Sequence, residues 1–173
     1  MIIKKAKAKE IDDIEKIYNK IHLKEEKDEN IIGWKRGIYP IRKTAEDALK
    51  REDLFVMKDK GLVVGSAIIN QEQVDVYKKA TWIYKASDSQ VMVLHTLVID
   101  PDFNGKGYGK KFVKFYEDYA KKNKCNFLRI DTNEKNVRAR TFYKKLSYEE
   151  IACLPCNFNG LEDVNLILLE KKL

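Results

Sequence analysis

Val98-Ile99-Asp100-Pro101-Asp102-Phe103-Asn104-Gly105-Lys106-Gly107-Tyr108-Gly109-Lys110 reads as a strand that passes through a glycine turn into a helix. Val91 to Ile99 is the most apolar run and long enough for a central strand, and Asp100-Pro101 ends it because proline has no N–H for a ladder. After the turn, Phe112, Phe115, Tyr116, Tyr119 and Ala120 share one helical face, with Lys110, Lys111, Lys114, Lys121 and Lys122 elsewhere on the helix. Gly105, Gly107 and Gly109 lack a Cβ, so successive backbone N–H groups can point into one concavity at the helix N-terminus, where the helix dipole favours negative charge. Such a loop suits a phosphate, and Lys106 and Lys110 stand within a turn of it. The plainer reading is a strand-to-helix turn with glycines for tight packing, and a lone glycine triplet does not decide between the two.

Two familiar nucleotide loops fit poorly. A dinucleotide fingerprint needs G-x-G-x-x-G and an acid about 20 residues on. Asp131 has the right offset, but the spacing here is G-x-G-x-G and no second mononucleotide half follows. A Walker A loop fails because no G-K-[ST] closes the turn.

Outward from the turn, Ile2-Ile3 with Ala6 and Ala8 predicts a short strand, and Ile11, Ile14, Ile17, Tyr18 and Ile21 repeat at helical spacing. Lys24 to Lys43 is charged and irregular, and a short helix is expected from Thr44, whose hydroxyl can cap it, to Arg51. Leu54 to Lys58 and Leu62 to Ile69 flank Asp59-Lys60-Gly61, a hairpin signal, while Asn70 to Gln90 reads mostly as loop. Phe127 to Ile130, Tyr148 to Leu154 and Val164 to Leu169 read as strands, with a helix over Asn136 to Leu146 and a turn at Asn159-Gly160. The order β-α-α-β-β-β-α-β-α-β-β predicts an α/β (α+β) fold in a single domain over 1–173.

Composition bounds the function classes. The 173 residues, 44% hydrophobic and 35% charged, suit one folded domain, and no run is long enough to cross a membrane. The opening Met1-Ile2-Ile3-Lys4-Lys5 lacks the apolar run and cleavage site of a secretory leader, and the three cysteines are irregularly spaced, so a cytoplasmic, reducing setting is expected. The net charge of +7 comes from lysines scattered beside almost as many acids. No RNA-binding interleaving of aromatic and basic residues and no helix-turn-helix signature accompanies it, so no nucleic-acid partner is expected. Exposed strand edges near the C-terminus are compatible with a homodimer.

The glycine turn resembles the acetyl-CoA pyrophosphate loop of the GCN5-related N-acetyltransferases, the GNAT superfamily, with pattern [Q/R]-x-x-G-x-[G/A] after a central strand. The match falls on Asn104, Gly107 and Gly109, with Asn104 replacing the usual Gln or Arg. Asn136-Val137-Arg138-Ala139-Arg140-Thr141-Phe142-Tyr143-Lys144-Lys145-Leu146-Ser147-Tyr148 resembles the family's N-x-x-A-x-x-x-Y-x-x-x-G-F, with Ser147 and Tyr148 in place of Gly and Phe. The resemblance implies a mixed, mostly antiparallel sheet flanked by helices, acetyl-CoA as cosubstrate, no metal, and acetyl transfer to an amine. It implies backbone contacts to the cofactor around Leu97, Val98 and Ile99, a diphosphate held over Asn104, Gly105, Lys106, Gly107, Tyr108, Gly109 and Lys110, and further contacts from Asn136, Ala139, Tyr143 and Lys145. Asn136 would pair with the pantetheine arm through its side-chain amide.

Acyl transfer to an amine needs a neutral nucleophile and a proton for the departing thiolate. Tyr143 is the expected general acid, against the alternative that it only packs beside Phe142. His95, in the middle of the central strand, matches the offset of a base-bearing histidine in the arylalkylamine branch, against the alternative of a hydrogen-bonded core residue. Glu72, Asp75 and Asp88 are the carboxylate alternatives, and His22 is expected at the surface. Trp34, Tyr39, Glu72 and Trp82 are the candidate acceptor-binding residues. Cys153-Leu154-Pro155-Cys156 lacks the strand-to-helix setting of a redox motif and reads as an incidental pair of thiols. A small primary amine is the favoured acceptor. A protein lysine or N-terminal amine, or a non-catalytic acyl-CoA-binding regulator, are the alternatives.

Overall fold

In the computed structural model, which describes residues 1–27 and 32–173, strands and helices follow the expected order. They are β1 (Ile2–Lys5), α1 (Ile11–Lys27), α2 (Arg42–Lys50), β2 (Leu54–Asp59), β3 (Leu62–Asn70), β4 (Val91–Ile99), α3 (Tyr108–Lys122), β5 (Phe127–Asn133), α4 (Val137–Lys144), β6 (Glu149–Phe158) and β7 (Leu161–Lys172). The sheet runs β1-β2-β3-β4-β5-β7-β6, and every pairing is antiparallel except β4 with β5.

Period-two alternation sends each strand's apolar residues to both faces. Phe55, Met57, Ala67 and Ile69 meet Phe112, Val113, Tyr116 and Ala120 of α3 on one face. Leu54, Val56, Ile68 and Val98 meet Ile14, Ile17, Tyr18 and Ile21 of α1, with Ala45 and Ala48 of α2, on the other. The rest of that second face is covered by Val76 and Tyr77 from the segment between β3 and β4, and this segment forms a 3-10 turn over Asp75–Lys79.

Some expectations shift. α2 begins at Arg42, and Thr44 serves from its third position, its Oγ1 accepting the Ile41 N–H at 3.1 Å. β6 continues through Pro155 because it is the last strand of the sheet, where a missing N–H costs no ladder bond. His22 is buried at 2% exposure, since it falls one turn beyond Tyr18 on the inner side of α1, and its Nε2 lies 2.8 Å from the Pro40 carbonyl. Residues 28–31 of the irregular stretch between α1 and α2 lie outside the described residues.

Candidate active site

The loop before α3 is anchored at its base. Asp100 Oδ1 accepts the Asp102 N–H at 3.0 Å, and Lys20 of α1 bridges Asp100 at 2.8 Å and Asp102 at 2.6 Å. Beyond it, Gly105 and Gly107 take φ of +80° and +74°, and a Cβ on either would meet nothing within 4 Å. Only glycine adopts that backbone freely, and the open space forms a cradle with room for a ligand. Gly107 caps α3, whose first turn holds no acid, so the unpaired N–H groups and the positive dipole end are uncompensated. Asn104, Lys106 and Lys110 are exposed around this cradle. The Tyr108 side chain turns away, its hydroxyl donating to Asp59 Oδ2 at 2.5 Å, which leaves its backbone to the loop. Gly109 serves packing, since a Cβ there would stand 3.4 Å from the Phe142 ring.

β4 and β5 pair only from Val91↔Phe127 to Leu94↔Ile130. Past Leu94, β4 stays paired to β3 and β5 to β7, so the two inner edges splay and expose unpaired backbone groups. An extended amide-bearing ligand can pair there like a short strand. Leu97 and Ile99 are half-buried along this edge, whereas the Val98 side chain is buried on the α1 face. The register between β3 and β4 slips from Ser66↔Val98 to Ile68↔His95, a bulge that sets Thr96 at φ +49°. That conformation is an outlier for a β-branched residue, and it is held by a hydrogen bond between Thr96 Oγ1 and the Tyr39 hydroxyl.

Tyr143 projects from α4 into this region. It is buried, its ring packs at 5.1 Å from Phe142 and 5.8 Å edge-on to Tyr148, and its hydroxyl has no hydrogen-bond partner among the described residues. Burial, reinforced by the charge of Asp131, raises the phenol well above its ordinary value, so it is a neutral donor at working pH. Asp131, on the splayed part of β5, accepts from the Tyr77 hydroxyl at 2.8 Å, and its burial raises it to about 6. Its charge also acts on Tyr39, which burial lifts to about 12. Asn136 caps α4, its Oδ1 accepting the Ala139 N–H at 3.0 Å, so only its amide N–H groups are left to meet a ligand. Lys145 is exposed at the end of α4.

A cavity of about 800 Å³ opens beside the bulge, lined among others by Tyr39, Asn70, Glu72, His95, Cys156 and Phe158. His95 Nε2 lies 3.0 Å from Asn70 Oδ1 and 3.1 Å from the Glu72 carbonyl, and burial lowers the ring to about 4. That removes much of the basicity expected of it. Trp34 stands behind the lining, edge-on to Tyr39 at 5.8 Å. Trp82 is not brought to this cavity: it stacks on Arg129 at 3.8 Å in a second cavity with Tyr84 and Ser87. Asp75, on the rim, is paired with Lys78 at 2.8 Å, and Asp88 accepts from Gln73 at 2.7 Å.

A family model described as Acetyltransferase (GNAT) family matches residues 11–148. An uncharacterized N-acetyltransferase of Methanocaldococcus jannaschii is 33% identical over 69 residues, 40% of this chain and 30% of that protein's length. Among solved structures, a GNAT-family acetyltransferase of Streptococcus agalactiae superposes with a TM-score of 0.75 at 22% identity, covering 99% of this chain and 95% of that one. A ribosomal-protein-alanine N-acetyltransferase of Brucella melitensis gives 0.73 at 15%, covering 100% of both. The yncA protein of Salmonella typhimurium, solved with its cofactor acetyl-CoA, gives 0.69 at 16%, covering 100% of this chain and 94% of that one. At these identities the structures share the fold.

Proposed function

The chain belongs to the GNAT acetyltransferase family and its chemistry is acetyl transfer from acetyl-CoA; on that premise we propose that the acceptor is a small primary amine, that the protein works as a single cytoplasmic domain, and that Tyr143 and Asp131 handle the protons. The observation that carries the acceptor class is the cavity of about 800 Å³, within the range of small-molecule sites, walled by α2, by 72–79 and by the tip of β6. A groove for a peptide would be open along its length.

The open glycine cradle and the splayed strands fit the diphosphate and the amide-bearing arm of acetyl-CoA. Bound there, acetyl-CoA supplies an activated acetyl group and a thiolate leaving group. The cavity orients the amine toward the splay, and the Asp131 carboxylate, at about 6, is matched to receive a proton near neutral pH. The neutral Tyr143 phenol supplies a proton or hydrogen bond to the departing sulfur. The carboxylate bases expected from the sequence are Glu72, Asp75 and Asp88, and Asp131 is not among them. In the sequence Asp131 stands directly after the predicted strand Phe127 to Ile130, about 20 residues beyond the glycine turn.

Acetyl-CoA should stabilise the protein by mass action, about 2.7 kcal/mol at a hundredfold excess over the dissociation constant. Gly107→Val places a branched side chain in the cradle at φ +74°, and the thermal shift given by acetyl-CoA should vanish. A shift with NAD and none with acetyl-CoA in the wild-type protein would contradict the assignment of the loop.

A further inference from the structure

The cavity wall around His95 contains a hydrogen-bond chain whose directions are fixed by chemistry. Asp53, buried at 7% exposure, can only accept, and it takes the Asn70 Nδ2–H at 2.8 Å. That turns Asn70 Oδ1 toward His95, an orientation reinforced by the Glu72 N–H donating to the same oxygen at 3.0 Å. His95 Nε2 therefore faces two acceptors, Asn70 Oδ1 at 3.0 Å and the Glu72 carbonyl at 3.1 Å, and must carry the ring proton. Nδ1 is left bare, without a partner among the described residues and not sealed from solvent, on a residue that lines the acceptor cavity.

We propose that Asp53 and Asn70 are positioning residues that hold His95 as the neutral Nε2–H tautomer, so that Nδ1 accepts a hydrogen bond from the acceptor amine and does not carry its proton away. The inference rests on the amine-acceptor reading above. The charged groups acting on the ring are Asp53, which favours its protonation, and Arg51, which opposes it, and the two pair with each other at 2.9 Å. Desolvation then keeps the imidazole uncharged, as this role needs. The partition separates two jobs: His95 orients the nitrogen, and a different group removes the proton.

With only two histidines in the chain, the test is direct. In ¹⁵N-histidine NMR of the full protein, His95, identified by its loss in His95→Gln, should show the Nε2–H tautomer unchanged from pH 5.5 to 8. Asn70→Ala should give mixed tautomers and raise KM for the amine about tenfold, the worth of one good hydrogen bond, with kcat little changed. Asp53→Asn, which keeps the side chain's shape, should move both readouts the same way but less, and serves if Asn70→Ala does not fold. A wild-type His95 that is protonated on Nδ1, or titrates near pH 6.5, would overturn the proposal, as would an Asn70→Ala effect confined to kcat. The NMR readout needs no acceptor, so failure of every small amine as substrate would count against the acceptor reading separately.

Discussion

Tyr143→Phe should lower kcat by roughly 10²–10⁴-fold while leaving acetyl-CoA affinity and thermal stability nearly unchanged. The ring fills the space between Phe142 and Tyr148, and phenylalanine keeps those contacts. The hydroxyl has no hydrogen-bond partner among the described residues, so its removal breaks no hydrogen bond there that supports the fold. What is lost is a donor that matters when the sulfur leaves and hardly matters before, and such a contact appears in kcat and not in binding. Steady-state kinetics with a confirmed acceptor, beside a melting curve, check both halves. Full activity in the Phe variant would reduce Tyr143 to a packing residue, and the regulator reading would gain.

Asp131→Asn should have the second large effect, a loss of about 10²–10⁴-fold in kcat/KM, accompanied by a gain in stability. The sign follows from the raised carboxyl. A group at about 6 in the folded protein and near its ordinary 3.8 in the unfolded chain favours folding below 3.8 and loses that contribution as pH rises through 6. Above pH 6 the native state carries a buried charge at a cost of about 3 kcal/mol. Asparagine removes that cost and can still accept from Tyr77, so the variant should melt higher than wild type at pH 8, with the gap closing by pH 4. The wild-type kcat/KM profile should rise through an apparent value near 6. A rise near 4 would move the proton acceptor to His95, where burial sets that value.

The glycine turn was legible because it depends on local backbone freedom, which spacing alone reports: Gly105 and Gly107 do take positive φ. Strand and helix order was legible for the same reason, since periodicity survives without tertiary knowledge. Side-chain roles set by long-range contacts were not. Trp82 looked like a pocket aromatic, yet the fold gives it Arg129 as a stacking partner from β5. His22 looked exposed among charges, yet it falls on the inner side of α1 one turn beyond Tyr18, where the Pro40 carbonyl returns to meet its ring. Asp131 looked like a ribose acid of a different fold, and its raised carboxyl follows from burial in the folded chain, which outweighs the opposing hydrogen bond from Tyr77, 54 residues away in sequence. The helix-capping bond of Asn136 was open to sequence reasoning, since an asparagine three residues before Ala139 is an ordinary N-cap.

The most direct measurement of the acceptor assignment is thiol release from acetyl-CoA by the wild-type protein, with product masses, across small primary amines, peptides with free N-termini and peptides bearing lysine. The cavity beneath Tyr39 and Phe158 predicts amine-dependent release with one or more small amines at a kcat/KM well above that of any peptide. Transfer confined to peptides, or none to any amine by a protein that binds acetyl-CoA, would contradict it.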